Sequence, residues 1–198
     1  MMGPLVARTC PPPPADRAEI LRYARSGGGD PTVYLLLDEM LREAEEVMSY
    51  RVAYREVAVI KEGEGVTVGG IEMPSRALAE ALAGADRALL LAATLGAGLD
   101  RLLLRYGRTS PARALLLQAI GAERVEALLD AFTREAEKEY GRLGRRFSPG
   151  YGDLPLALQS RLLPLLDSGR TLGITLGASL LMSPTKSVTA IVGIFGNP

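Results

Sequence analysis

The chain of 198 residues contains no histidine and a single cysteine. Without histidine it has neither the commonest general base near neutral pH nor the commonest metal ligand, and a Ser-His-Asp triad is impossible. One cysteine, Cys10, leaves no internal disulfide and no thiolate metal cluster. An excess of charge is missing too. The 23 Lys and Arg residues balance 23 Asp and Glu residues, which argues against a nucleic-acid partner. The longest uncharged apolar runs, residues 88–99 and 171–182, fall short of the roughly 18 or more residues that a membrane span requires. Residues 1–10 lack the basic start and apolar core of a secretion signal. These absences lead us to expect a soluble, cytoplasmic protein with no membrane and no nucleic acid among its partners.

Several catalytic signatures are also absent. No G-x-S-x-G nucleophile elbow occurs. Ser183-Pro184-Thr185-Lys186 has the S-x-x-K form of penicillin-recognising serine enzymes, but S-D-N and K-T-G are both lacking, so strand-entry turn chemistry is the better reading. Thr94-Leu95-Gly96-Ala97-Gly98 lies between an expected strand and an expected helix. It lacks the third glycine and the acidic residue of a dinucleotide fingerprint, and reads as a tight strand-to-helix turn.

What is present is a 47% hydrophobic chain, ample for one sizeable core. We divide it into an extended, proline-rich N-terminal arm over 1–15 and a single domain over 16–198. Pro11 to Pro14 suit a polyproline-like conformation. A brief helix over 16–25 is expected to end at the Gly27-Gly28-Gly29 joint. Val33, Leu36, Leu37, Met40, Leu41, Ala44, Val47 and Met48 recur at helical spacing behind Pro31, as expected for a helix docked on a core. Residues 52–60 and 66–68 form an expected hairpin about a Gly63-Glu64-Gly65 turn. Pro74 opens a short helix, residues 88–94 read as a strand covered on both faces, and a helix begins at Gly98. A long helix is expected over 111–140, where Gly121 could weaken or bend it. An apolar segment follows over 154–166, then strands over 174–176 and 187–195. Without a regular βαβ rhythm, the fold class is α+β with a largely antiparallel sheet.

The densest chemistry follows the long helix, in Arg146-Phe147-Ser148-Pro149-Gly150-Tyr151-Gly152-Asp153. Pro149 fixes its own φ, and the glycines permit backbone shapes and close approaches that a Cβ blocks. Arg146 suits a forked pair of hydrogen bonds to a carboxylate or phosphate. An ordinary surface turn explains Ser-Pro-Gly equally well. Asp130, one turn from Glu126 and one from Arg134, is either a solvated member of an i, i+4 pair with Arg134 or a carboxylate facing a groove beside this loop. Tyr151 is either packed core or, between two glycines, a ring open to a ligand.

Arg146-Phe147-Ser148-Pro149-Gly150-Tyr151 resembles the R-x-x-P-G-Y loop with which the activation domain of cobalamin-dependent methionine synthase binds S-adenosylmethionine. Ala93-Thr94-Leu95-Gly96, Leu129-Asp130-Ala131-Phe132 and Pro184-Thr185-Lys186-Ser187-Val188-Thr189-Ala190 extend the resemblance, which covers most of the chain from about residue 16. It implies a curved antiparallel sheet with helices packed around it. By the same resemblance the protein is a free-standing S-adenosylmethionine-binding module. It would support reductive methylation of cob(II)alamin on a separate corrinoid protein, a truncated methionine synthase, with flavodoxin or another one-electron reductant. Catalytic and metal-ligating residues are not expected on this chain, and cobalamin would come only with the partner. Arg146 would hold the methionine carboxylate, and Ser148 and Gly150 would offer backbone contacts to the adenosyl portion. Tyr151 would lie beside the ligand, and Asp130, where the family has a glutamate, would accept from the amino group. The family's further acidic contact near the N-terminus has no assigned counterpart in this sequence. Two other readings are a non-catalytic assembly partner of a corrinoid protein, indifferent to S-adenosylmethionine, and an independent Rossmann methyltransferase. The incomplete glycine loop and the element order disfavour the last.

Overall fold

The computed structural model describes residues 2–26, 30–62 and 65–196. The Gly27-Gly28-Gly29 joint and Gly63-Glu64 of the expected hairpin turn lie outside them. Among the described residues, seven α-helices and a curled antiparallel sheet make an α+β fold. Local signals place most elements. Asp16 caps α1 (Arg17–Tyr23) by accepting from the Glu19 amide, and Asp30 caps α2 (Pro31–Glu45) by accepting from Thr32. The strand β1 (Val6–Thr9) precedes them, in a segment whose sequence carries no strand signal strong enough to separate it from a loose arm. It is held by pairing with β2 (Arg51–Glu62), in a register that runs from Val6 opposite Tyr54 to Thr9 opposite Arg51. Strand β3 (Gly65–Val68) takes the rest of that β2 edge. The unforeseen three-residue β4 (Ile71–Met73) follows it after Gly69 and Gly70, both at positive φ.

Next come α3 (Arg76–Ala81), β5 (Arg87–Thr94), α4 (Gly98–Thr109) and α5 (Pro111–Tyr140), the last with the bounds expected from sequence. Pro111 sits in the first turn of α5, and Gly141 closes it at φ 77°. The apolar segment after the motif loop becomes α6 (Gln159–Leu165), with α7 (Ser168–Leu172) behind it. Strands β6 (Thr175–Leu176) and β7 (Met182–Ser183) form a small separate hairpin ahead of β8 (Ser187–Ile194). The main sheet runs β4-β3-β2-β5-β8, with β1 beside β2.

The centre of this sheet is buried on both faces, and the two-residue period of strand side chains builds two cores from it. Leu89, Leu91 and Ala93 of β5 pack with α1, α2, α4 and α5, while Ala88, Leu90 and Ala92 pack with α3, α6 and α7. Two glycines set the closest helix approaches. A Cβ on Gly98 would stand 2.0 Å from the Val47 carbonyl oxygen, and one on Gly121 would stand 2.6 Å from Leu99 Cδ2. The Thr94-to-Gly98 segment is thus the tight strand-to-helix turn expected. Gly121 lets α4 close on an uninterrupted α5.

Arg124 of α5 has no solvent-exposed side-chain surface, and neighbouring Glu123 is almost as deeply buried. The Arg124 guanidinium donates to both Glu123 carboxylate oxygens at 2.6 and 2.7 Å, and to the backbone carbonyls of Pro13 and Pro14. Glu123 also accepts from the Asp16 amide at 3.1 Å. Proline offers a carbonyl and no N–H, so the polyproline arm suits a pure donor such as arginine. The pair seats the arm and α1 on α5. We expect Arg124→Ala to destabilise the fold by about 3–5 kcal/mol in urea unfolding, because it strands Glu123 as a buried unpaired charge. Replacing both residues by apolar ones of similar volume should cost less than that single substitution.

Candidate functional site

After Gly141 the chain runs antiparallel along the outer edge of β8. Phe195 N donates to Arg142 O, Gly144 N to Gly193 O, and Phe147 and Ile191 exchange both backbone bonds at 2.8 and 2.9 Å. A Cβ on Gly144 would lie 2.6 Å from the Phe195 ring, so the edge register needs glycine there. Alternation then decides the site. Phe147 turns into the core shared with α3, α6 and α7, only 3% exposed, and Arg146 turns the opposite way, towards α5.

On α5, Arg146 meets two carboxylates one helical turn apart. One guanidinium nitrogen donates to Asp130 Oδ1 at 2.6 Å and the other to Glu126 Oε2 at 3.0 Å. Asp130 therefore faces the loop and pairs with Arg146, which decides against the i, i+4 pair with Arg134. The triplet stays wet: Arg146 is 24% exposed, Glu126 47% and Asp130 53%.

Ser148 to Tyr151 form a turn closed by Tyr151 N donating to Ser148 O at 3.0 Å. Pro149 is at its second position and Gly150 at its third with φ 89°, the type II pattern. Gly150 N donates to Leu154 O at 2.8 Å, so its amide holds the loop together. Tyr151 is 71% exposed, an open ring and not core. Asp153 plays no part in the cavity. It accepts from Ser75 Oγ and from the Arg76 and Ala77 amides at 2.8 and 3.3 Å, fastening the loop to the start of α3. The Ser75 hydroxyl, aided by those amides, holds its carboxyl below the usual aspartate range.

Between α5 and the loop lies a cavity of about 440 Å³, lined by Arg146, Phe147, Ser148, Tyr151, Glu126 and Leu129 together with Thr133 and Val188. A second cavity, of about 690 Å³, shares Glu126 and Tyr151 and adds Asp130, Asp16, Glu19 and Tyr23. Arg146, Ser148 and Tyr151 thus share the first cavity, Asp130 faces the second, and Gly150 supports the turn between them. Sequence reasoning missed the roles of Glu126 and Asp16. Four-residue spacing from Asp130 could have flagged Glu126. Asp16 reaches the site only through the arm seated by Arg124.

The 184–190 stretch reaches the first cavity through Val188 and is otherwise anchored by its own side chains. Thr185 bonds through its amide and hydroxyl to Asp100 in the first turn of α4, and Lys186 Nζ donates to the Gln118 carbonyl at 3.1 Å. Burial pushes the Lys186 ammonium below its usual range. Among the described residues, no group of three or more His, Cys, Asp or Glu is placed to hold a metal ion, and no helix is long and apolar enough to cross a membrane.

Fold and site together define an α+β domain with a ligand-sized cleft between one long helix and a sheet-edge loop. This fold is shared with the solved structure of the MetH reactivation domain bound to AdoHcy, at a TM-score of 0.69 and 14% sequence identity, over 98% of this chain and 79% of that one. No family model matches the sequence. No curated protein matches it either. The likeness establishes the fold.

We expect Asp153→Ala to speed hydrogen exchange at the Arg76 and Ala77 amides while leaving the amides of α5 unchanged. In the wild type, a depressed carboxyl pKa stabilises the anchor above the unfolded aspartate value and loses that contribution as pH falls through the folded one. Acidification below the ordinary carboxylate range should therefore lower the protection factors of the same two amides, taken against the intrinsic exchange rate at each pH.

Proposed function

We propose that this protein is an S-adenosylmethionine-binding module of the activation type, which presents its ligand to a corrinoid carried by another protein. The observation that carries the reading is Arg146, aimed by the β8 edge into a cavity and still open to water. A guanidinium fork there takes an α-carboxylate through two parallel hydrogen bonds. A carboxylate beside it, in the Glu126 and Asp130 pair, accepts from the α-ammonium; Asp130 stands at the position where the resemblance implies a glutamate. The floor of Leu129 and Val188 and the Tyr151 ring suit a flat adenosyl group, and a volume of about 440 Å³ lies within the usual range for small ligands. Ser148 contributes its backbone, and Gly150 its turn geometry and carbonyl. Asp16 and Glu19 are the N-terminal carboxylates that the fold brings to this region; Glu19 is paired with Arg22, and we assign the further acidic contact to Asp16.

The reaction chemistry would reside in the activated sulfonium and in the partner's cobalt, with a one-electron reductant such as flavodoxin. The residues of this chain bind, orient and present. A likeness to the MetH reactivation domain bound to AdoHcy supports this reading over a Rossmann methyltransferase. A corrinoid protein, a truncated methionine synthase in the simplest case, is the proposed partner, and the cytoplasm the proposed compartment.

Titration calorimetry tests the reading. Wild type should bind S-adenosylmethionine, and Arg146→Ala should weaken binding by about 1.5–3 kcal/mol, the scale of a hydrogen bond to a charged group. No binding, with or without a corrinoid protein, would overturn it. A complex with a corrinoid protein that ignores the ligand would instead favour the assembly-partner role.

A further inference from the structure

We infer that Glu126 is the specificity-determining carboxylate for the ligand's α-ammonium and that Asp130 is a positioning residue that holds Arg146; this rests on the S-adenosylmethionine reading above. Three observations divide the labour in this way. The Asp130 contact to Arg146 is the tighter, at 2.6 Å against 3.0 Å for Glu126. Glu126 lines both cavities, including the one that contains Arg146, Ser148 and Tyr151, whereas Asp130 lines the neighbouring one and not that one. Glu126 also has the longer side chain, with one more rotatable bond by which to leave the guanidinium and follow a ligand.

Binding is then an exchange of ion pairs. Without ligand, each terminal nitrogen of Arg146 donates to one carboxylate. An amino-acid head entering the cavity presents its own carboxylate to the guanidinium nitrogen that Glu126 occupies and to the adjacent Nε, which together make the fork, and the released Glu126 pairs with the α-ammonium. Every charge keeps a partner throughout, which is the condition for burying charge at low cost. Asp130 stays on the other nitrogen and fixes the plane of the fork. The site therefore selects zwitterionic α-amino-acid heads, and each half of the zwitterion answers to a different acid on α5.

Three probes separate these roles: S-adenosylmethionine, decarboxylated S-adenosylmethionine (ammonium without carboxylate) and 5′-methylthioadenosine (neither). Glu126→Gln should weaken both ammonium-bearing probes about tenfold, equivalent to losing one modest charge-assisted contact, and leave methylthioadenosine unchanged. Asp130→Asn should weaken S-adenosylmethionine alone, because only that probe uses the Arg146 fork. A general disturbance of the fold would weaken all three, which circular dichroism and thermal melting of each variant also report. The inference is overturned, with the S-adenosylmethionine reading intact, if Asp130→Asn and not Glu126→Gln weakens the decarboxylated probe, if both weaken it alike, or if neither does. If wild type binds none of the three probes, the reading and this inference fall together.

Discussion

The site depends on one antiparallel register, residues 142–147 against the outer edge of β8. Because side chains alternate along an extended chain, the burial of Phe147 under the sheet commits Arg146 to the face that α5 covers. A slip of one residue would send an arginine into an apolar core and a phenylalanine into water. The buried ring therefore supplies the force that aims the guanidinium. Gly144 allows the register by making room for Phe195, and Asp153 prevents the far end of the loop from drifting by fastening it to α3.

The opposite wall of the cleft is α5, and its azimuth is set by burial. Leu128, Leu129, Phe132 and Ala136 face the core, which leaves Glu126 and Asp130 on the flank beside the loop. Arg124 adds the third component by seating the proline arm, and so brings Asp16 and Tyr23 to the rim. Three segments far apart in sequence meet there because a helix, a sheet edge and an arm are each fixed by a different force.

These forces differ in how plainly they are written in the sequence. Helical periodicity made α5 legible with close to its observed bounds, and the unbroken apolar run made β5 legible as a doubly covered strand. Arg146, Ser148, Gly150 and Tyr151 were legible as a group because they are adjacent. Strand β1 was not, since Val6–Thr9 is short and its order comes from a partner some 45 residues downstream. Glu123 and Arg124 looked like any charged pair on a helix, and only the tertiary fold buries them. For the same reason Asp130 could be given two partners on paper, Arg134 on its own helix and the loop across the cleft. Local spacing favoured the first, and the fold selects the second.

Two arginines, Arg124 beneath the proline arm and Arg146 in the cleft, show how the same chemistry serves two ends. Arg124 is wholly buried, its donors shared between Glu123 and two proline carbonyls, and removing it would leave a charge stranded in the interior. Its role is architectural. Arg146 sits in a triplet whose members are a quarter to a half exposed, and ion pairs so open to water contribute at most about 1 kcal/mol each to stability. A fold gains little from such a clamp as glue. Partial exposure is what would allow the carboxylate of the proposed ligand to replace one partner without first breaking the core. Two acids on one guanidinium are redundant for structure. They become intelligible when one holds the fork while the other is released.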